Sequence, residues 1–223
     1  MSTFRDLLSE HAGPVLLRQQ HLADLLGTFT WDADLHQGLL HVSGHTRPYR
    51  AQLIGTDMHR DASWLWAWAN TGSGLGDEVT EDSRHVREHG LNCGVPELTT
   101  PRLCTEAVSG HELAVIACGL TEADAYFRGE FPGGAAYFTL RDVPRAPVLT
   151  ASRSVHLITT MLQTFALHHP NAIRALYAAH DCPVTIRGRR WTATVGGEMV
   201  QLAFDDHQRL SEINLAPATL TPA

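Results

Sequence analysis

The chain has 223 residues and a net charge of −7, from 17 basic and 24 acidic residues with histidine counted as neutral. Its 43% hydrophobic and 18% charged residues are typical of a globular protein that buries a core, which excludes a disordered or fibrous chain. The acidic balance argues against a nucleic-acid partner, and because every basic residue is arginine, chemistry that needs a lysine amine is excluded.

The first third of the chain predicts a helix followed by short strands. Residues 3–26 carry leucines at helical spacing and predict a helix, which Pro14 is expected to kink or split. The pattern then changes to alternation, which predicts strands at 28–31, 39–43, 50–55 and 63–69. The short, turn-rich connections favour an antiparallel meander, because a parallel pair needs a long crossover.

The remaining two thirds predict helices and antiparallel strands in separate blocks. Residues 77–89 predict a polar helix that ends at Gly90, and Ser109 with Glu112 forms a capping box before an apolar helix. Later elements are a hairpin at 125–131 and 135–141, helices at 152–168 and 170–180, and strands at 184–186, 191–195, 199–204 and 211–215. The predicted fold class is therefore α+β, with two antiparallel β-meanders packed by helices.

The segment D-V-P-R-A-P at 142–147 is the candidate domain boundary. It predicts an N-terminal α+β lobe over residues 1–147, which contains a tryptophan-rich strand, and a C-terminal helix pair with a β-meander over residues 148–223. No repeat, coiled coil or low-complexity segment interrupts either part.

Two features of the sequence bear on the compartment. Charged residues interrupt the leucines of residues 1–27, so no signal peptide is expected, and no later stretch approaches the roughly 18 uncharged apolar residues of a membrane helix. The cysteines have irregular spacing and no C-x-x-C pair, which predicts free, mostly buried thiols in a reducing environment. We therefore expect a cytoplasmic protein with no membrane partner.

The sharpest motif is S-W-L-W-A-W-A-N at 63–70. In a strand its three tryptophans share one face, and the opposite face is apolar too, so the strand is expected to be central and covered on both sides. Three indoles on one face either pack in the core or line a ligand pocket, and the sequence leaves both open. The candidate ligand-binding residues are Trp31, Trp64, Trp66, Trp68 and Asn70.

Several short segments carry a resemblance to a known family. L-G-T-F-T-W-D at 26–32, I-G-T at 54–56 and W-L-W-A-W-A-N at 64–70 resemble a bacterial family of unknown function that is marked by this tryptophan-rich signature. The segment at 204–213 is similar to the family's terminal pattern, with Gln208 where the family has glycine. The resemblance implies a fold-level grouping and no mechanism.

The remaining candidates for chemistry are weaker. Glu81, His85 and His89 fall four residues apart on one predicted helix face, where two histidines can hold a metal, although a solvated polar face has the same pattern. The sequence has no G-x-S-x-G nucleophile motif and no cysteine in a known catalytic signature. No catalytic residue, metal or cofactor is therefore assigned.

These observations favour a non-catalytic protein that holds a small, partly apolar molecule against the tryptophan face. The alternative is a protein that sequesters a partner, as an immunity protein does, in which the acidic net charge aids association with a basic target. A metal-dependent hydrolase that uses His85 and His89 is a third hypothesis. Nothing in the sequence sets the oligomeric state.

Overall fold

The structure, a computed structural model, describes residues 2–216. Its helices are α1 (Phe4–Leu26), α2 (Glu81–Cys93), α3 (Pro96–Thr99), α4 (Gly110–Leu120), α5 (Ala151–Thr164) and α6 (His169–Ala178). Its strands are β1 (Trp31–Asp34), β2 (Leu39–Val42), β3 (Tyr49–Met58), β4 (Ser63–Trp66), β5 (Arg102–Cys104), β6 (Ala125–Phe131), β7 (Gly134–Arg141), β8 (Val184–Arg187), β9 (Arg190–Val195), β10 (Glu198–Phe204) and β11 (Leu210–Ala216). Over this range the strands form two antiparallel sheets, so the predicted α+β class is confirmed.

The described residues divide into two compact units. Residues 2–4 and 18–145 form the seven-stranded unit, and residues 5–17 and 146–216 form the four-stranded unit. The division into domains 1–147 and 148–223 stays a prediction. Within residues 2–216, no helix combines the length and the apolar character that crossing a membrane requires.

Strand β3 is the centre of the seven-stranded sheet. It pairs with β7 along its length, from Arg50 opposite Arg141 to Met58 opposite Gly134. Its other edge is shared by β2 near its start and β4 near its end. Strands β1, β5 and β6 extend the sheet beyond β2, β4 and β7. The arrangement leaves β3 enclosed on both edges.

Both faces of this sheet are covered by apolar side chains. On one face, Leu22 and Leu26 of α1 join a buried core with Leu53, Phe127 and Phe138. On the other face lie α2 and α4, where the Ser83 hydroxyl donates to the Ile54 carbonyl oxygen at 3.1 Å and the Gln52 amide oxygen accepts from Asp82 N at 2.7 Å. These bonds fix the position of α2 over β3.

A buried ion pair also holds α2 against the sheet. The Asp82 carboxylate accepts two hydrogen bonds from the Arg141 guanidinium, at 2.7 and 3.0 Å, and a third from the Thr139 hydroxyl at 2.6 Å. The Asp82 side chain is only 7% exposed. With three donors to one carboxylate, the pair has the satisfied geometry that a buried charge needs.

The four-stranded unit contains a regular meander in the order β11-β10-β9-β8. One sheet face is buried, with α5 packed against β10 and β11 and Arg174 of α6 over the Trp191 ring. Its buried side chains are Trp191, Ala193, Val195, Val200, Leu202 and Phe204. The opposite face carries the alternating, mostly polar residues of the same strands.

Several boundaries differ from the sequence prediction. Helix α1 runs through Pro14 without a break. The first strand is 31–34 rather than 28–31. Helix α2 starts at Glu81 rather than at residue 77, and it ends at Cys93 because Gly94, at φ +72°, forms the left-handed cap expected at Gly90. The sequence pattern did not predict strand β5 or helix α3.

The tryptophan strand is shorter than predicted, and this changes the placement of its third tryptophan. Strand β4 ends at Trp66, and Ala67–Ala69 form a 3₁₀ turn. The Trp68 amide donates to the Ser83 hydroxyl at 3.1 Å, and the Asn70 amide donates to the Ala67 carbonyl at 3.1 Å. Because these amides bond to a helix side chain and within the turn, they are unavailable to a neighbouring strand.

Candidate functional site

Trp64 and Trp66 lie in the core of the seven-stranded unit. Neither has any exposed surface, and their rings meet edge to face with centroids 5.4 Å apart. The Trp66 indole donates to the Glu97 carbonyl oxygen at 3.1 Å. Tyr137 packs against Trp64 with centroids 5.2 Å apart. The two tryptophans therefore share the face of the sheet that α2 and α4 cover.

The other candidate ligand-binding residues lie elsewhere. Trp31 packs on the opposite face of the sheet, against Gly129 and against Phe127 with ring centroids 5.5 Å apart. Trp68 lies in the 3₁₀ turn, half-buried, with the Arg87 guanidinium 4.5 Å from its ring centroid. The carbonyl of Asn70 accepts hydrogen bonds from the backbone and side chain of Ser73 and stabilises the following turn. The structure thus brings together only two of the five predicted residues, Trp64 and Trp66.

The Trp64 indole has an unusual environment for a buried polar group. Its ring lies so close to Gly55 that a Cβ at this position would overlap it. Its N–H has no acceptor among residues 2–216, and the same holds for the half-buried Trp68. A buried donor without an acceptor costs about 1–3 kcal/mol. The N–H group of each indole therefore offsets part of the stability that burial of its apolar ring surface provides.

A network of aromatic and charged side chains lies at the start of α4. His111 Nδ1 is 3.1 Å from the Tyr126 hydroxyl, and the His111 ring meets the Tyr137 ring with centroids 5.5 Å apart. Arg128 Nε donates to the Tyr137 hydroxyl at 3.1 Å, and its Nη1 pairs with Glu130 at 2.6 Å. These bonds join α4 to β6 and β7, so their groups serve the fold.

Burial sets the protonation of this network. It lowers the pKa of His111, with a further lowering from the Arg128 charge that outweighs the opposite effect of Asp57. It also raises the pKa values of Tyr126 and Tyr137. His111 is therefore neutral near pH 7, and both phenols keep their protons.

The lowered pKa of His111 makes the stability of the fold depend on pH. Between the unfolded pKa near 6.5 and the lower folded pKa, the unfolded chain binds more protons, so stability falls as pH falls through that window. We expect His111→Gln to show a smaller loss of unfolding free energy between pH 7.5 and pH 5 than the parent, in urea titrations. His156→Gln, at an exposed position of α5, is the control. Equal pH dependence in the parent and in His111→Gln would contradict the assignment.

The predicted metal candidates on α2 do not converge. Glu81 and His85 are exposed, and His89 Nε2 lies 3.4 Å from Cys93 Sγ instead. Among the described residues, no three His, Cys, Asp or Glu side chains are placed to hold one metal. The cysteines are free thiols, as predicted, but they are not mostly buried, because only Cys118 is buried and Cys104 is exposed. Burial raises the pKa of Cys118 to about 12, so this thiol stays protonated.

A surface concavity lies on the polar face of the four-stranded sheet, where the sequence predicted no site. We call it the groove; its volume is about 600 Å³. Opposed residues form two cross-strand rows. The outer row is Arg187, Arg190, Ala203 and Glu212, from β8 to β11. The middle row is Thr185, Thr192, Gln201 and Asn214, in the same order. Trp191, Met199 and Leu202 complete the lining.

Two arginines lie side by side at one end of the groove. Arg187 and Arg190 are directly opposed across β8 and β9, both are exposed, and neither has an acidic partner in the described part of the chain. Like charges in opposed positions destabilise a sheet. Arg189, in the turn between them, pairs with Asp206 instead. The groove therefore holds two positive charges that the fold leaves unbalanced.

The segment R-G-R-R-W-T-A-T-V at 187–195 contains part of the sequence information that could identify the groove. Its alternation separates buried residues such as Trp191 from polar ones such as Thr192. The sequence alone, however, does not show which residues oppose one another, because register depends on turn geometry and on the partner strand.

Comparisons with known proteins place the chain in one family. No curated protein and no solved structure matches it. The model of a family described as being of unknown function, DUF6882, matches residues 5–143, which is more than half of the chain and ends before the groove. The chain therefore belongs to the DUF6882 family of unknown function.

Proposed function

We propose that the protein is a non-catalytic binding protein whose ligand is a polar small molecule with a phosphate or carboxylate group, held in the groove. The observation that carries the proposal is the opposed pair Arg187 and Arg190, which lacks an acidic partner in residues 2–216. Planar guanidinium groups bind these anions through paired hydrogen bonds. A bound anion would supply the negative charge that the sheet itself does not provide.

The rest of the groove suits a polar molecule of moderate size. Its volume of about 600 Å³ lies within the range of small-molecule sites. The middle row offers hydroxyl and amide groups from two threonines, a glutamine and an asparagine. Ala203 has a small side chain, so it leaves space between Arg190 and Glu212. Glu212 can then accept a hydrogen bond from the far end of the ligand.

The lining supports binding rather than catalysis. It contains no histidine and no cysteine, and its single carboxylate, Glu212, has no second carboxylate or base beside it in the groove. Acid–base and nucleophilic mechanisms need such paired groups. This location differs from the predicted tryptophan face, because Trp64 and Trp66 have no exposed surface to offer a ligand.

The test is calorimetric titration of the full chain with inorganic phosphate, citrate and adenosine monophosphate. We expect at least one probe to bind, and the double variant R187Q/R190Q to weaken that binding at least tenfold. A hydrogen bond to a charged group contributes about 1.5–3 kcal/mol, and about 1.4 kcal/mol is tenfold. Arg189→Gln is the matched control, since this residue lies in the same turn but pairs with Asp206.

Two results would contradict the proposal. One is that no probe binds to the parent protein, and the other is that Arg189→Gln weakens binding as much as the double variant does. In the first case, the interaction protein predicted from the net charge of −7 becomes the better hypothesis.

A further inference from the structure

The charged residues of the groove stand at opposite ends of one cross-strand row. Arg187 and Arg190 occupy the first two positions of the outer row, and Glu212 occupies the last one, on β11. Neighbouring strands lie about 4.8 Å apart, so the backbone of Glu212 is about 10 Å from that of Arg190. Between them stands Ala203, which is uncharged. The groove therefore has a positive end and a negative end.

Glu212 lacks a charged partner, as the two arginines do. Its side chain is exposed, and no ion pair formed within residues 2–216 includes it. The short side chain of Ala203 does not bridge the space toward Arg190. A ligand with only an anionic group compensates the arginines and leaves Glu212 unpaired. A ligand with a cationic group at its other end compensates both ends of the groove.

The middle row of the groove carries groups that suit the amides of a peptide. It runs beside the outer row on the same face of the sheet, and its residues are Thr185, Thr192, Gln201 and Asn214. Hydroxyl and carboxamide groups can each donate and accept hydrogen bonds. A peptide offers one N–H and one C=O per residue, and both need partners when they leave water. A chain that lies along the outer row finds both kinds of partner beside it.

We propose that the ligand of the groove is a peptide of three or four residues with free termini. Its carboxylate lies between Arg187 and Arg190, and its ammonium group lies at Glu212. This inference rests on the proposed function and names the class of ligand. The point midway between β8 and β9 is two and a half strand spacings from β11, about 12 Å. An extended chain covers about 3.3–3.6 Å per residue, so three or four residues span this distance.

The experiment compares triglycine with N-acetyltriglycine, because acetylation removes the ammonium charge and leaves the carboxylate. The full chain is titrated at pH 6.5 and low salt, where the α-amino group, with a pKa of about 7.7–8.0, is charged and screening is weak. Binding is followed through the NMR amide resonances of β8 to β11. We expect triglycine to bind about three- to fivefold more tightly, the upper part of the range for an exposed ion pair. Diglycine is too short to reach both ends, so its acetylation should have no effect.

Glu212→Gln is expected to have opposite effects on two probes. It should weaken triglycine to the affinity of N-acetyltriglycine, because the ammonium loses its partner. It should leave inorganic phosphate bound equally well or better, because a negative charge near the anion is gone. A variant that merely disturbs the sheet would weaken both probes. Glu198→Gln is the control, since Glu198 is an exposed residue of β10 that does not line the groove.

Four results would overturn this inference: no binding of triglycine, equal affinity for triglycine and N-acetyltriglycine, an unchanged ratio of the two affinities in Glu212→Gln, or triglycine binding that survives R187Q/R190Q. The proposed function is decided separately, by the titrations with phosphate, citrate and adenosine monophosphate. If those anions bind through the arginines and acetylation of triglycine has no effect, the peptide class is wrong and the anion site stands. If none of the anions and neither peptide binds, both proposals fail.

Discussion

Replacement of Trp66 by alanine is expected to lower the free energy of unfolding by about 3–5 kcal/mol, the range for a large aromatic side chain removed from a packed core. The indole has no exposed surface, and its loss also leaves the Glu97 carbonyl oxygen without its donor. Urea denaturation followed by circular dichroism measures the change. The choice between core and ligand pocket, which the motif leaves open, depends on this number.

The control is Trp68→Ala, which removes an indole of equal size from the adjacent 3₁₀ turn. Trp68 is only half-buried and its indole N–H lacks an acceptor within residues 2–216, so we expect a smaller loss than for Trp66. A loss below about 1 kcal/mol for Trp66→Ala would contradict core packing, because a buried cavity of this size costs more. It would favour the tryptophan-lined pocket instead.

The second large effect concerns Asp82. We expect Asp82→Ala to destabilise the fold by about 3–5 kcal/mol, because removal of one partner leaves a partly buried charge on Arg141 without compensation. The Arg141 side chain is 28% exposed, and the Thr139 hydroxyl loses its acceptor as well. The measurement is again the unfolding free energy in urea at neutral pH.

Asp142→Asn provides a matched comparison from the neighbouring strand end. The Arg50–Asp142 pair has a similar short distance of 2.7 Å, but its side chains are 66% and 59% exposed. Exposed pairs contribute about 0–1 kcal/mol, and asparagine tolerates the positive φ of 67° at residue 142. Similar losses of unfolding free energy in the two variants would show that burial does not determine how much the Asp82–Arg141 pair stabilises the fold.

Local signals in the sequence were sufficient for most of the fold. The capping box is one example: Glu112 N donates to the Ser109 hydroxyl at 3.3 Å, and Ser109 N donates to the Glu112 carboxylate at 2.8 Å. The C-terminal meander is another, since β8 to β11 lie within two residues of their predicted bounds. Both features depend on residues close in sequence.

Features that depend on distant residues were predicted less well. The tryptophan strand ends early because Ser83, on a helix that follows it, captures the Trp68 amide. Gly90 looked like a helix end, but it lies inside α2 and packs against Leu98 of α3. Trp31 lies on the opposite sheet face, a placement that depends on the pairing of β1 with β2 rather than on a local pattern.

The sequence does not predict the groove, for a related reason. Arg187 and Arg190 are three residues apart in sequence, and only the two-residue turn between β8 and β9 makes them directly opposed. Glu212 joins the same row through two further strand pairings, which no local pattern specifies. From residue types alone, these three positions therefore look the same as ordinary solvent-facing positions of a sheet.

If the proposed function holds, the opposed arginines have a consequence for how the four-stranded sheet responds to an anionic ligand. Two like charges at directly opposed positions of β8 and β9 repel each other, so without an anion the hairpin is less stable than its backbone pairing alone would make it. An anion between them converts that repulsion into two attractions, and a ligand that binds only the folded state adds to stability by mass action. Under the proposed function, occupancy of the groove and the strength of the β8–β9 pairing are thermodynamically linked, and the stability of this hairpin would then report whether the ligand is bound.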